Sequence, residues 1–139
     1  KSHTATRLNI DNTPRNLDLI NMKTIAEKVF EPLRSWVGGP IAINSFYRSP
    51  KLNSAIGGST KSQHCIGCAL DLDDNYGYKT NAQMFEYVKN NLDYDQMIWE
   101  FGTDENPNWV HISYVSEDTN RRRLLKASKI NGKTTYSVI

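Results

Sequence analysis

The chain lacks any apolar run approaching the roughly 18 residues a membrane-crossing helix needs, so no membrane insertion is expected. Its first residues, KSHTATRLNI, hold no apolar stretch of the kind a secretory leader carries, so no signal peptide is visible. It also lacks an excess of one charge. Lys plus Arg is 17 and Asp plus Glu is 15, for a net +2. That balance does not by itself argue for nucleic acid, although it tolerates an anionic polymer as partner. Cysteine is scarce: Cys65 and Cys68 are too few for a disulfide framework. A bond between them would close a very small loop and constrain little of the unfolded chain. With no further cysteine and no downstream H-x-x-x-H pair, the second half of a zinc finger is missing. Internal repeats and low-complexity linkers are absent as well. What remains is 139 residues, about one domain and enough for one proper core. Residues 1–139 are expected to form a single domain, with its core at about 12–115 and a basic tail at 116–139.

The apolar spacing places the elements. Asn16 to Val37 carries Leu17, Ile20, Ile25, Val29, Leu33 and Trp36 mostly at helical spacing, and Gly38-Gly39-Pro40 ends it. Pro32 is expected to kink this first helix or split it. Ile41 to Phe46 reads as a short strand. Ser49 then caps a short helix with Pro50 at its first position, and Gly57-Gly58 stops it. Cys68 to Asp73 is the second strand. Thr80 or Asn81 caps a third helix whose buried stripe is Met84, Phe85, Val88 and Leu92. Asp95 to Phe101 and Trp109 to Val115 are strands joined by the short GTDENPN, hence an antiparallel hairpin. In the tail, Asn131-Gly132 signals a further hairpin. Helices followed by a largely antiparallel sheet give the class α+β.

The segment SQHCIGCALDLD, Ser62 to Asp73, carries the chemistry. A redox dithiol would open a helix after a strand. Here C-x-x-C precedes an alternating strand, so the cysteines read as small apolar fillers. Asp71 sits mid-strand among apolar neighbours, where a charge is costly unless paired or bound to metal. His64 follows a polar loop, and His111 lies mid-strand in WVHISYV. Two histidines and a carboxylate, with a fourth position open, form a known catalytic zinc set. His64 and Asp71 are seven apart, so a continuous strand would set them on opposite faces. They converge only if the chain bends, and Gly67 permits a bend.

These residues also match a pattern. S-x-H-x-x-G-x-A-x-D is complete in Ser62, His64, Gly67, Ala69 and Asp71, and W-V-H-I-S follows with His111. Upstream, S-F-Y-R-S-P-x-L-N supplies Ser45, Tyr47, Arg48, Ser49, Pro50 and Asn53. Over roughly Asn12 to Val115 the chain resembles the M15 zinc peptidases, the family of D-Ala-D-Ala carboxypeptidases and dipeptidases and of L-alanyl-D-glutamate endolysin peptidases. The resemblance implies a catalytic domain with zinc, Zn(2+), on His64, Asp71 and His111. It implies hydrolysis of a peptide bond in the bacterial peptidoglycan stem peptide, with Ser62 and Arg48 contacting substrate. Arg48 is placed to steady an oxyanion or hold a substrate carboxylate, a task bidentate Arg suits better than Lys.

A carboxylate must also take a proton from the attacking water. Many M15 members carry an acid three residues before the last histidine, and that position here is Asn108. Glu100, Asp104 and Glu105 remain. Asp104 and Glu105 lie in a polar turn, whereas Glu100 sits in an apolar strand. The hedgehog signalling domain, similar in its zinc scaffold, has a D-x-x-x-x-E strand that matches Asp95 and Glu100. Glu100 is therefore the expected base. It shares a face with His111 only if Phe101 pairs with Asn108 or Val110, or a bulge does the same. The expected protein is a monomeric phage or prophage endolysin, made in the bacterial cytoplasm and acting on the cell wall after release. A non-catalytic zinc-containing binding domain on the same scaffold is the alternative. The basic run Arg121-Arg122-Arg123 with Lys126 and Lys129 reads as a solvated strand edge rather than a nucleic-acid surface.

Overall fold

The computed structural model describes residues 2–139. A short helix not expected from the sequence, α1 (His3–Arg7), starts where the Ser2 hydroxyl accepts the Ala5 N–H. The next helix, α2 (Asn16–Ile25), is fastened at its start by Asp18. That carboxylate accepts the Arg15 N–H at 2.9 Å and both arms of the Arg15 guanidinium. A single π-helical turn, Ala26–Phe30, leads into α3 (Glu31–Val37), which Gly38 ends at φ 83. Residues 16–37 are thus one helical stretch, and the expected kink at Pro32 takes the form of this wider turn. Pro32 comes one residue after it, where its ring would otherwise meet the carbonyl of Lys28.

The buried stripe is Ile25, Val29, Leu33 and Val37. Leu17 and Ile20, expected on that stripe, are instead exposed at 68% and 61%. The first half of the helix turns its polar side inward, with the Asn21 amide donating to the Ile66 carbonyl. Trp36 is half exposed and stacks on Tyr87 of α5 (Asn81–Asn91), ring centroids 4.3 Å apart. Two caps fall where the sequence places them. Ser49 accepts the Leu52 N–H at the start of α4 (Pro50–Ala55), and Thr80 accepts the Gln83 N–H in α5.

Six strands form one sheet: β1 (Ala42–Ser45), β2 (Ala69–Asp73), β3 (Gln96–Glu100), β4 (Trp109–Ser113), β5 (Arg123–Ile130) and β6 (Lys133–Val138). Their order is β1-β2-β4-β3-β5-β6, and every neighbouring pair is antiparallel except β3 with β5. The fold is α+β. It does not place all its helices first, because β1 and β2 precede α5.

Alternation along these strands sorts the side chains onto two faces. Leu70, Leu72, Met97, Val110 and Ile112 are fully buried in the main core with Ile25, Leu33, Phe85 and Val88 of the helices. Asp71, His111, Ile98, Glu100, Leu125 and Tyr136 lie on the other face. In the β3–β4 hairpin Glu100 pairs with Trp109 and Ile98 with His111. This is the register in which Phe101 falls opposite Asn108, so Glu100 and His111 share a face.

The tail departs from the expected solvated edge. β6 covers the free side of β5, so β5 is an inner strand and β6 is the edge. Three of the tail's cations are paired: Arg121 with Asp95, Arg122 with Asp93, and Lys126 with Asp104.

Candidate functional site

Asp71 and His111 are direct partners across β2 and β4, with His111 Nδ1 3.0 Å from Asp71 Oδ1. His64 arrives from a 3-10 turn, Gln63–Ile66, just before β2. Ser62 caps that turn by accepting the His64 N–H at 3.3 Å. Gly67 closes it at φ 76. A Cβ there would also lie 2.5 Å from the Asp18 carbonyl oxygen and 2.8 Å from Met22 Cγ. The bend thus needs glycine both for its φ and for the close approach of α2.

The result is a tight donor cluster. One ligand atom each from His64, Asp71 and His111 lies within 4.8 Å of the others. His64 Nδ1 sits 2.7 Å from the Phe46 carbonyl, which can only accept, so Nδ1 carries the proton. That leaves a lone pair on Nε2, which is buried, without a hydrogen-bond partner among the described residues, and 3.2 Å from Asp71 Oδ2. A lone pair held against a carboxylate oxygen is stable when a cation lies between them. A backbone carbonyl fixing one ring nitrogen while the other faces inward is the usual support of a metal-binding histidine. Burial alone would raise the Asp71 pKa, but the hydrogen-bonding contact with His111 opposes it, and the carboxyl lies below its usual range. The donor set fits a zinc-sized cation.

The other candidates fall into two groups. Glu100 lines the same cleft and is only 7% exposed. Burial, then the charge of Asp71, pushes its pKa up to about 7. It makes no ion pair among the described residues. Asp104 and Glu105 are exposed in the hairpin turn, where Asp104 is taken by Lys126. Asn108 is exposed too, and its backbone closes the hairpin by donating to the Glu100 carbonyl at 2.9 Å.

Arg48 lines the cleft with its Nε buried and unpartnered, and no carboxylate among the described residues pairs with it. Its backbone N–H donates to the His64 carbonyl at 3.1 Å, which ties the two chain segments together. The rest of its motif is scaffold. Asn12 brackets the segment by accepting the Ser49 N–H and donating to the Tyr47 carbonyl. The buried Asn53 donates to the Ser59 carbonyl at 2.7 Å and holds the next loop.

Cys65 and Cys68 are free thiols outside the donor cluster. Burial pushes both pKa values up, so they stay protonated. Cys68 is buried, just ahead of β2, and Cys65 lies partly exposed in the turn.

Three contributors were given no role from sequence, although Asp95 falls in the D-x-x-x-x-E strand. Asp95 is 2% exposed and binds both arms of the Arg121 guanidinium and the Gln63 amide. It thereby joins the tail to the turn bearing His64. Its partners Arg121 and Gln63 are far off in sequence, which is why spacing could not reveal them. Thr134 and Tyr136 of β6 line the cleft as well. The model of the family described as Peptidase M15 matches residues 2–113, most of the chain. No curated protein matches it.

Proposed function

The chain belongs to the M15 peptidases, and on that premise we propose a zinc-dependent peptidase cutting the stem peptide of bacterial peptidoglycan. The observation that carries this reading is the buried, unpartnered His64 Nε2 facing Asp71 and His111. In the proposal these three residues hold the zinc ion. Bound there, zinc supplies Lewis acidity, which polarises a carbonyl and acidifies water.

The remaining chemistry falls to side chains of the same cleft. Glu100 takes the proton of the attacking water on its carboxylate and returns it to the leaving amine. Its burial and near-neutral pKa suit both halves of that transfer. A cation held by His64, Asp71 and His111 would offset the part of the shift that Asp71 causes. Arg48, held to His64 through the backbone and free of any acid among the described residues, binds the substrate carboxylate or the developing oxyanion. Ser62 spends its acceptor on the turn and keeps its O–H for substrate. We assign the protein to the endolysin type of phage or prophage, acting at the cell wall.

The test is digestion of purified peptidoglycan, with zinc content measured on the same sample. Zinc-loaded protein is expected to release fragments that mass spectrometry reads as new stem-peptide ends. A chelator should stop the release, and added zinc should restore it. Fragments ending between L-alanine and D-glutamate identify an endopeptidase, and loss of terminal D-alanine a carboxypeptidase. Stoichiometric zinc without any fragment overturns the catalytic reading in favour of a binding domain.

A further inference from the structure

The β5–β6 hairpin lies beyond residue 113, outside the span the family model matches. It is not an appendage. β5 pairs with β3 in parallel and extends the face that carries Asp71, His111 and Glu100. A single row crosses four strands on that face: Trp109 opposite Glu100, Glu100 opposite Ala127, and Ala127 opposite Tyr136. Ala127 is fully buried and offers only a methyl group, so no longer side chain stands in the row between Glu100 and Tyr136.

Tyr136 has little work to do in the fold. β6 is exposed along its whole length, and the Tyr136 side chain forms no hydrogen bond among the described residues. Tyr136 is 54% exposed, yet it lines the same cleft as His64, Asp71 and Arg48. Burial, then the charges of Glu100 and Asp71, raises its phenol pKa, so the group is neutral at ordinary pH. A half-exposed neutral aromatic at the rim of a polar cleft offers a flat apolar contact at small entropic cost. The sheet order places it on the side away from Arg48, which follows β1 at the other end of the sheet.

We propose that Tyr136 is a substrate-contacting residue of the peptidase cleft, its ring forming the wall on the β6 side against which the stem peptide lies. This rests on the proposed peptidase function. The peptide is then gripped by charge at Arg48 and by an aromatic face at Tyr136, with Glu100 between them.

The experiment compares wild type, Tyr136→Ala and Tyr136→Phe on soluble stem-peptide fragments prepared from purified peptidoglycan. Tyr76→Ala, equally exposed and away from the cleft, serves as control. Tyr136→Ala is expected to raise KM about tenfold with kcat, zinc content and melting temperature little changed. Tyr136→Phe, which keeps the ring, should retain the wild-type KM. If Tyr136→Ala does not fold, Tyr136→Leu is read in its place. Wild-type turnover with an unchanged KM in the truncated variant overturns the inference and leaves the peptidase reading standing. Absence of turnover by the zinc-loaded wild type overturns the peptidase reading and this inference with it.

Discussion

The two faces of the sheet are built from the same strands, offset by one position. On β2, Leu70 and Leu72 are fully buried under the helices, while Asp71 between them faces the cleft. On β4, Val110 and Ile112 flank His111 in the same way. The helix-covered face is a large apolar core, and its ordinary side chains hold the register. The open face has only a small cluster, Ile98, Leu125 and Ala127 with Phe101 packed on it. The core face fixes where the polar atoms sit, because a slip of one residue would bury Asp71 and expose Leu70. Stability and chemistry are therefore separable by parity. Substitutions on one face should be read in melting temperature, and those on the other in metal and turnover.

The sharpest break of that separation is at the proposed ligands. Asp71→Asn or His111→Ala should remove bound zinc and activity together while the apo protein stays folded. Metal analysis beside circular dichroism checks this, and full zinc with full turnover in His111→Ala would rule the assignment out. Next in size is Glu100→Gln, which keeps the shape and removes the base. It should retain zinc and lower turnover by about 10² to 10⁴-fold. Near wild-type turnover would move the role to Glu105 or Asp104, despite their exposure in the turn.

On the opposite face, Leu70→Ala should cost about 2 to 5 kcal/mol of stability. Zinc per folded molecule should be unchanged, as denaturant melts and metal analysis would show. A loss of zinc from the folded fraction would mean that packing beneath Asp71 sets the donor geometry as well as the register.

The open face was more legible in the sequence than the helices were. Asp71 stood out because a carboxylate among apolar strand neighbours is costly unless it is paired or bound to a cation. His64 and His111 stood out as its partners, His64 because a bend at Gly67 turns it back toward the strand. Thr80 and Ser49 were readable because capping is local chemistry between residues three apart. Leu17 and Ile20 misled because periodicity reports only that one side of a helix is apolar. It does not report that the first half of the stretch lies against the polar Gln63–Ile66 turn. The parallel pairing of β5 on β3 left no local trace, since its partners are far apart in the chain. The expectation of a solvated edge in the tail failed with it, because only that pairing shows that β6 takes the outer place.

Cys65 and Cys68 test the separation where it is narrowest, and with the smallest expected effect. They flank Gly67 in the bend that brings His64 toward Asp71, so by position they look like ligands. Their environment says otherwise. Cys68 is 3% exposed and Cys65 only partly so, burial raises both thiol pKa values, and neither belongs to the His64, Asp71 and His111 donor cluster. The turn is held mainly by other atoms: the Ser62 hydroxyl on the His64 N–H and the Arg48 N–H on the His64 carbonyl. The cysteines add backbone bonds, Cys65 N–H to the Ser62 carbonyl and Cys68 N–H to the Gln63 carbonyl, which substitution leaves in place, and one long 4.0 Å contact of Cys68 Sγ with the Ile66 carbonyl. Cys65→Ser combined with Cys68→Ala should therefore keep zinc and turnover, at a cost of about 1 to 3 kcal/mol from lost packing at Cys68. The measurement is a melting curve beside zinc stoichiometry. A folded double variant without zinc would show that the thiols belong to the metal site after all.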